Sequence, residues 1–328
     1  MGGIREQVEH WKLQRESRLR LIRDAYAHGE RGLALVRRHT NHLQEMAQDV
    51  FGSIFSGYAG PPVSICASGG FGRRELAPGS DLDLCVLFDR LTPELSDRLA
   101  RLERVLWDTG MHPGLQHLPL AQADAAFLHI ETGTSLLHAR LLYGDRDIFH
   151  RFVRVRDTFR RQGGTALARE LLRELEIDVR VRLRDVCRLQ PDLKRDPCML
   201  RDIQRVIWIE TILKADAVIE HIDELPILQE YGGALRLGAD CYHRLRVGLH
   251  LMARRKQDIM ELPLLEALGA EQGYASPMDF LRAFYRCVRD VSHAIGQYAA
   301  IGSHAMGGKG RFIPARRQGM PCGLVRIG

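Results

Sequence analysis

Apolar side chains return at helical spacing from residue 4 to about residue 55: Ile4, Val8 and Trp11; Leu19, Leu21 and Ile22; Leu33, Leu35 and Val36; Leu43, Met46 and Val50. At 3.6 residues per turn each set shares one face, which predicts amphipathic helices. The pattern breaks at residues 28–31, so the stretch reads as two helices. Turn residues follow at 57–62, and the pattern then changes period. VSICA (63–67) is a short β-rich run, glycines come next, and LDLCVLF (82–88) is a second apolar run. A long amphipathic helix is predicted over 93–108 and a third strand over 113–120, the latter poor in β-branched residues. After about residue 121 the period is helical almost to the end, most strongly in 165–190, 200–219, 239–258 and 277–301. The stretch from 306 on is rich in Gly, Pro and Arg and reads as a peripheral tail, with one short strand at 323–327.

These elements predict an α+β chain: helices over 1–60, a small mixed sheet with helices over 61–150, an all-α domain over 151–305, and a tail over 306–328. Length and composition agree, since 328 residues with 45% hydrophobic content suffice for two ordinary cores. A formal net charge of +6 suits a phosphate-bearing ligand or an acidic partner without specifying either. Seven scattered cysteines, with no CxxC pair and no zinc-ligand spacing, read as reduced, mostly buried thiols. The N-terminus lacks the apolar core of a secretory signal, and no run approaches the roughly 20 apolar residues of a membrane span. A cytoplasmic protein without membrane association is therefore expected.

The chemistry concentrates in SGGFGRRELAPGSDLDLCVLF, residues 68–88. Ten residues (71–80) separate Gly69 and Gly70 from Asp81 and Asp83, which alternate with Leu82 and Leu84. On a strand this alternation sends both carboxylates to one face and both leucines to the core. Two such carboxylates repel one another unless a cation joins them, and hard oxygen ligands at this spacing suit one or two Mg²⁺ ions carrying the phosphates of a nucleotide. Gly69 and Gly70 would let backbone N–H groups approach a triphosphate, Ser68 would add a hydrogen bond, and Arg73 and Arg74 lie where guanidinium groups can meet phosphate oxygens. Taken alone, a GG is a turn and a DLD is a solvated strand start or cap. Their joint spacing between two apolar strands resembles a polymerase-β-type nucleotidyltransferase site.

GGFGRRELAPGSDLDL further resembles the signature of the bacterial PII uridylyltransferases and, more distantly, the glutamine-synthetase adenylyltransferases. Similarity to the former continues through HGERGLALVRRHTNHLQEMAQDVFGSIF, LWDTGMHPGLQHL, LLHARLLYGDRDIFHRF, DLKRDPCMLRDIQRVIWIE and YHRLRVGLHLMARRKQDIM, across roughly residues 28–301. The resemblance implies a nucleotidyltransferase domain followed by a helical domain that helps hold substrate. It assigns Asp81 and Asp83 to catalysis and metal, Gly69, Gly70 and Ser80 to the nucleotide loop, and Arg73 to the phosphate region; Ser68, read from its place before the glycines, joins the nucleotide-binding set. It also implies an NTP substrate, UTP by analogy, and a PII-like regulatory protein as acceptor. Family members of full length continue into an HD phosphohydrolase domain and paired ACT domains; this sequence stops before either, and its tail resembles the segment that leads onward.

The sequence departs from the family pattern in two places. The strand after the WD-G turn reads PGLQHLPL, where the family has an arginine at its end, and it contains no acidic residue. The third carboxylate usual in polymerase-β-type sites is thus not visible there, and His117 is the nearest polar candidate. In the helical domain Cys198 and Met199 replace paired glycines, while Arg201 and Asp202 remain at the helix start, placed either to face a nucleotide or to form a local ion pair and cap. The basic run RVRLRDVCRLQPDLKRD lacks interleaved aromatics, which argues against a nucleic-acid substrate. Altered motifs also leave open a relative that binds nucleotide or a partner without turnover.

Overall fold

The structure is a computed structural model that describes residues 2–180, 188–214 and 232–305. Its elements run in the order α1 (Gly2–Ala27), α2 (Gly32–Ile54), β1 (Val63–Ala67), α3 (Gly69–Gly72), β2 (Leu82–Phe88), α4 (Pro93–Asp108), β3 (Pro113–Pro119), α5 (Ala123–Ala126), α6 (Ile130–Leu136), β4 (Arg140–Gly144), α7 (Arg146–Gln162), α8 (Gly164–Arg180), α9 (Leu200–Leu213), α10 (Gly232–Ala253), α11 (Leu262–Glu271) and α12 (Pro277–Ala305). They divide into two compact units. One comprises the described residues of Met1–His28 and Ala34–Gln162, the other those of Gly29–Leu33 and Gly163–Gly328.

The first unit is built on a four-stranded mixed sheet of order β3-β2-β1-β4, as an α+β chain requires. β2 runs antiparallel to β1 and parallel to β3, and β4 runs antiparallel to β1. β1 is buried throughout and β2 everywhere but Asp83, as expected of central strands covered on both faces. Leu82, Leu84, Val86 and Phe88 point into a core with Ile65, Ala67, Met46, Val50 and Phe51, and α4 adds Leu95, Leu99, Leu102 and Val105. Those spacings place one stripe of α4 on the sheet. The helix starts where Thr92 Oγ1 accepts from Leu95 N at 3.2 Å with Pro93 behind it, and it ends at Gly110, whose φ of 76° is a glycine conformation. α7 packs against β1 and β2.

Two expectations are corrected. The chain is not helical throughout after residue 121: RLLYG forms the edge strand β4, whose strand character comes from pairing with β1 rather than from any alternation of its own. The helical period read to residue 258 overruns α10, which ends at Ala253 because Arg254 turns the chain with a φ of 53°.

The second unit is helical. α8 packs on α9 and α12, and α10 on α12, where Gly238 lets the helices approach beside Val291. Tyr242, Phe280, Phe284, Ile203 and Ile295 fill its interior. Tyr298 donates to the buried Glu210 Oε1 at 2.9 Å, satisfying a carboxylate inside the bundle. Among the described residues Cys66, Cys85, Cys198, Cys241 and Cys287 are buried and outside any disulfide; Cys187, Cys322, the tail from 306 and the strand expected at 323–327 lie outside the described residues. No described helix is long and apolar enough to cross a membrane.

Candidate active site

The chain leaves β1 through Ser68, whose N–H donates to Asp83 O at 3.0 Å and so ties the end of β1 to the start of β2. It then makes the single helical turn α3. Gly72 N donates to Ser68 O at 2.8 Å, Arg73 N to Gly69 O at 3.2 Å, and Glu75 N to Gly70 O at 2.9 Å. Ser68 is the N-cap residue, yet its buried side chain makes no capping bond, so the first-turn amides of α3 are not used up by the serine.

Gly69 holds φ at 52°, and a Cβ there would lie 2.5 Å from Asp83 Oδ2. Gly114, on β3, stands against the other carboxylate oxygen: a Cβ there would lie 3.3 Å from Asp83 Oδ1. The carboxylate therefore sits between two positions where a side chain would crowd it. Asp83 is half-buried, and Asp81, one residue before the strand, is exposed. Ser80 closes the turn leading into them, its N–H donating to Ala77 O at 2.8 Å and its Oγ accepting from Ala77 N at 3.0 Å. Leu82 N donates to His112 O at 2.8 Å, which fixes the start of β2 against β3. The structure thus gathers Ser68, Gly69, Ser80, Asp81 and Asp83 around one strand start.

The arginines take other roles. Arg73 is 3% exposed, and its Nε donates to Glu75 Oε2 at 2.9 Å, so it braces the turn from inside instead of presenting its charge to solvent. Arg74, at a φ of 60°, donates to Asn41 Oδ1 at 2.9 Å. Arg140 on β4 was not singled out by sequence reasoning, although it lies in the LLHARLLYGD stretch. Its Nε donates to Gly72 O at 2.7 Å and its Nη2 to Phe71 O at 3.1 Å, holding carbonyls at the end of α3.

The parallel register settles which residues of β3 accompany Asp83. Gly114 pairs with Asp83 and Gln116 with Cys85, whereas His117 pairs with Val86. Partners in register point the same way, so Gln116 shares the face of Asp83 and His117 lies on the opposite one. This corrects the expectation that His117 is the nearest polar candidate for the third position. Cys66 and Cys85 are also cross-strand partners near the site. Burial pushes the Cys85 thiol up to about 12 and raises Cys66 as well, so both are neutral packing groups and not nucleophiles at neutral pH.

Among the described residues no group of three or more His, Cys, Asp or Glu side chains converges as a metal cage. Two carboxylates on one strand start, with glycines beside one of them, fit a different case: Mg²⁺ is commonly held by one or two carboxylates plus substrate phosphates.

In the second unit Asp202 is 1% exposed and sits in the first turn of α9. Its Oδ2 accepts from Cys198 N at 2.7 Å and its Oδ1 pairs with Arg205 Nη1. The local cap and ion pair, one of the two roles open to it, is the one its contacts fill. Cys198 has a φ of 64°, the left-handed conformation that a glycine would take without cost. Arg201 lies with Cζ 5.5 Å from the centroid of the Trp208 ring.

Comparison with known proteins adds what geometry alone does not. Residues 50–127 match the nucleotidyltransferase domain family and residues 169–298 match the GlnD PII-uridylyltransferase family. The chain is 30% identical over 249 residues to a bifunctional uridylyltransferase/uridylyl-removing enzyme of Burkholderia vietnamiensis (strain G4 / LMG 22486), an overlap of 73% of this chain and 28% of the relative. It is 29% identical over 286 residues to the enzyme so named in Nitrosospira multiformis, covering 81% of this chain and 31% of that one. The Burkholderia pseudomallei (strain K96243) enzyme is 30% identical over 250 residues, again 73% and 28%. The matched region thus spans about three tenths of these relatives' length.

Proposed function

This chain joins a nucleotidyltransferase domain to a region of the PII-uridylyltransferase family, and from that premise we propose that it transfers a nucleoside monophosphate, UMP by family likeness, from an NTP to a hydroxyl group on a PII-like regulatory protein. The observation that carries this reading is the setting of Asp83, half-buried at a strand start with a glycine against each carboxylate oxygen and Asp81 beside it. Asp81 and Asp83 would hold Mg²⁺, which when bound neutralises triphosphate charge and aligns the displacement. The chain's own part is positioning. Ser80 and the Ala77 turn aim the acidic pair, the Ser68-to-Asp83 backbone bond keeps the α3 turn beside it, and Arg140 steadies that turn from β4. The α3 amides stand where they can meet phosphate oxygens.

The decisive experiment incubates the full chain with each α-labelled NTP and Mg²⁺ in the presence of a purified PII-type protein, and follows label transfer and pyrophosphate release. Transfer is expected with UTP, absent with EDTA and absent in Asp81→Asn/Asp83→Asn. Normal turnover by the double variant would remove the site assignment.

A second reading is favoured by one observation: Gln116, not a carboxylate, accompanies Asp83 on its face of β3. On this reading the chain binds a nucleotide without turning it over. Tight UTP binding by calorimetry, with no labelled product from any NTP, would select it.

A further inference from the structure

The turn that carries Gly69 and Gly70 is fastened from outside as well as from within, by the helix α2. Thr40, Asn41, Gln44 and Gln48 share one side of that helix, at the spacing i, i+1, i+4 and i+8. Thr40 Oγ1 accepts from Leu76 N at 3.0 Å, and Asn41 Oδ1 accepts from Arg74 Nη1 at 2.9 Å. Gln44 Oε1 accepts from Arg140 Nη1 at 3.1 Å, the same guanidinium that holds the Phe71 and Gly72 carbonyls. Gln48 Nε2 donates to Leu142 O at 2.9 Å, on the strand that carries Arg140. One stripe of α2 thus reaches the turn directly at residues 74 and 76, and through Arg140 at the close of α3.

The contact at Thr40 differs from the others in being sealed. Asn41 is exposed, so water can replace it, whereas Thr40 and Leu76 are both buried. A hydroxyl has one proton to give. That of Thr40 goes to Val36 O at 2.7 Å, one turn back in α2, so a lone pair of the oxygen is what meets Leu76 N. Both bonds are therefore fixed in direction. Leu76 passes the constraint on to the glycines: its side chain lies in the core, and a Cβ at Gly70 would come 3.6 Å from Leu76 Cδ2. From the residue before it, Glu75 N donates to Gly70 O at 2.9 Å. Gly70 rests on Glu75 and Leu76, and Leu76 rests on Thr40.

We propose that Thr40 is a positioning residue for the nucleotide: on the reading of residues 68–83 as the NTP site, its hydroxyl holds the turn, before any ligand arrives, in the form that accepts a triphosphate. Without that hydroxyl Leu76 N becomes a buried donor lacking an acceptor, and the turn gains by opening until water meets the amide. The closed form is then a minority, and apparent affinity falls by its fraction, while bound ligand draws the turn shut again. Thr40 acts through Leu76 and Gly70, not on the substrate.

The test compares three variants of the full chain. Thr40→Val keeps the shape and removes both hydroxyl bonds, Thr40→Ser keeps the hydroxyl, and Val50→Ala, in the hydrophobic core further along α2, weakens the fold away from the turn. In Thr40→Val the Kd for UTP with Mg²⁺, by calorimetry, should rise about tenfold, as when the closed turn falls to about one tenth of the population. In label transfer KM should rise by the same factor, with kcat at saturating UTP within about twofold of wild type. Hydrogen exchange in peptides covering residues 68–80, followed by mass spectrometry, should quicken in Thr40→Val and slow again when UTP is added. Thr40→Ser, which restores the hydroxyl, should recover the affinity, the KM and the protection. Val50→Ala should lower the thermal midpoint at least as far as Thr40→Val, yet hold its UTP affinity within about twofold of wild type. Wild-type affinity in Thr40→Val, or an equal loss in Val50→Ala, would overturn the proposal and leave the proposed function standing. UTP binding without transfer by the wild-type chain would do the reverse, because the effect of Thr40 is read on binding. Absence of UTP binding by the wild-type chain would overturn both.

Discussion

Two of the places where the chain enters a helix through left-handed backbone, one in each unit, set an aspartate against the turn. In the first unit Gly69 takes a φ of 52° and lies against Asp83; in the second Cys198 takes a φ of 64° and its N–H donates to Asp202. The carboxylates end in opposite circumstances. Asp202 is buried with a backbone amide on one oxygen and Arg205 on the other. Asp83 is half-buried, with a glycine standing off each oxygen. The same side chain at the same kind of turn is a cap in one place and a candidate ligand in the other, and what separates them is the neighbour supplied at each oxygen.

Exchanging each aspartate for asparagine should break this symmetry most visibly. In Asp83→Asn, nucleotidyl transfer should fall by about 10³-fold, because charge that must face a metal-bound triphosphate is gone, while thermal unfolding stays near wild type. In Asp202→Asn the sensitivity reverses. Removing one partner of a buried, hydrogen-bonded ion pair takes from Arg205 one of its charge partners, Glu174 being another, and should cost about 2 kcal/mol of stability by denaturant titration. If Asp83→Asn lost stability and kept activity, the two turns would be of one kind after all.

The left-handed residues sharpen the contrast at smaller amplitude. Gly69→Ala puts a Cβ 2.5 Å from Asp83 Oδ2 in a backbone conformation that costs about 1–2 kcal/mol for a residue with a side chain. Displacing the carboxylate should lower transfer by about 10²-fold, measured as kcat at saturating NTP. Cys198→Gly runs the other way. Relief of left-handed strain is offset by the lost burial of a small side chain and by the greater freedom of glycine in the unfolded chain. Its stability should therefore stay within about 1 kcal/mol of wild type, with transfer unchanged.

Much of this was legible before any coordinates. β1, β2 and α4 announce themselves, the first two as apolar runs bounded by turn residues and the last by its amphipathic helical stripe. The alternation of Asp81 and Asp83 with Leu82 and Leu84 already put the acids on one face. β4 was hidden because RLLYG has no period of its own, so its identity rests on a partner remote in sequence. The setting of Arg73 was hidden for a related reason: the sequence places a guanidinium near a glycine-rich turn, and only three dimensions show that Glu75, two residues on, pairs with it. Gly114 carries no signal of its own in the sequence. Its place against Asp83 depends on parallel register, which no local pattern encodes.

That register gives the finest test. Gln116 and His117 are neighbours in sequence, yet Gln116 shares the face of Asp83 and His117 faces away with Val86. Introducing a carboxylate at each asks whether the face, and not mere proximity along the chain, governs the site. Gln116→Asp should add a hard oxygen ligand on the acidic side and shift the Mg²⁺ concentration for half-maximal transfer downward by about threefold. His117→Asp adds the same charge at an exposed position on the other face. Long-range attraction through solvent should then change that midpoint by less than about 1.5-fold at physiological ionic strength. Equal shifts in the two variants would mean that bulk charge sets the metal response, and that the one-residue register carries no information about the site.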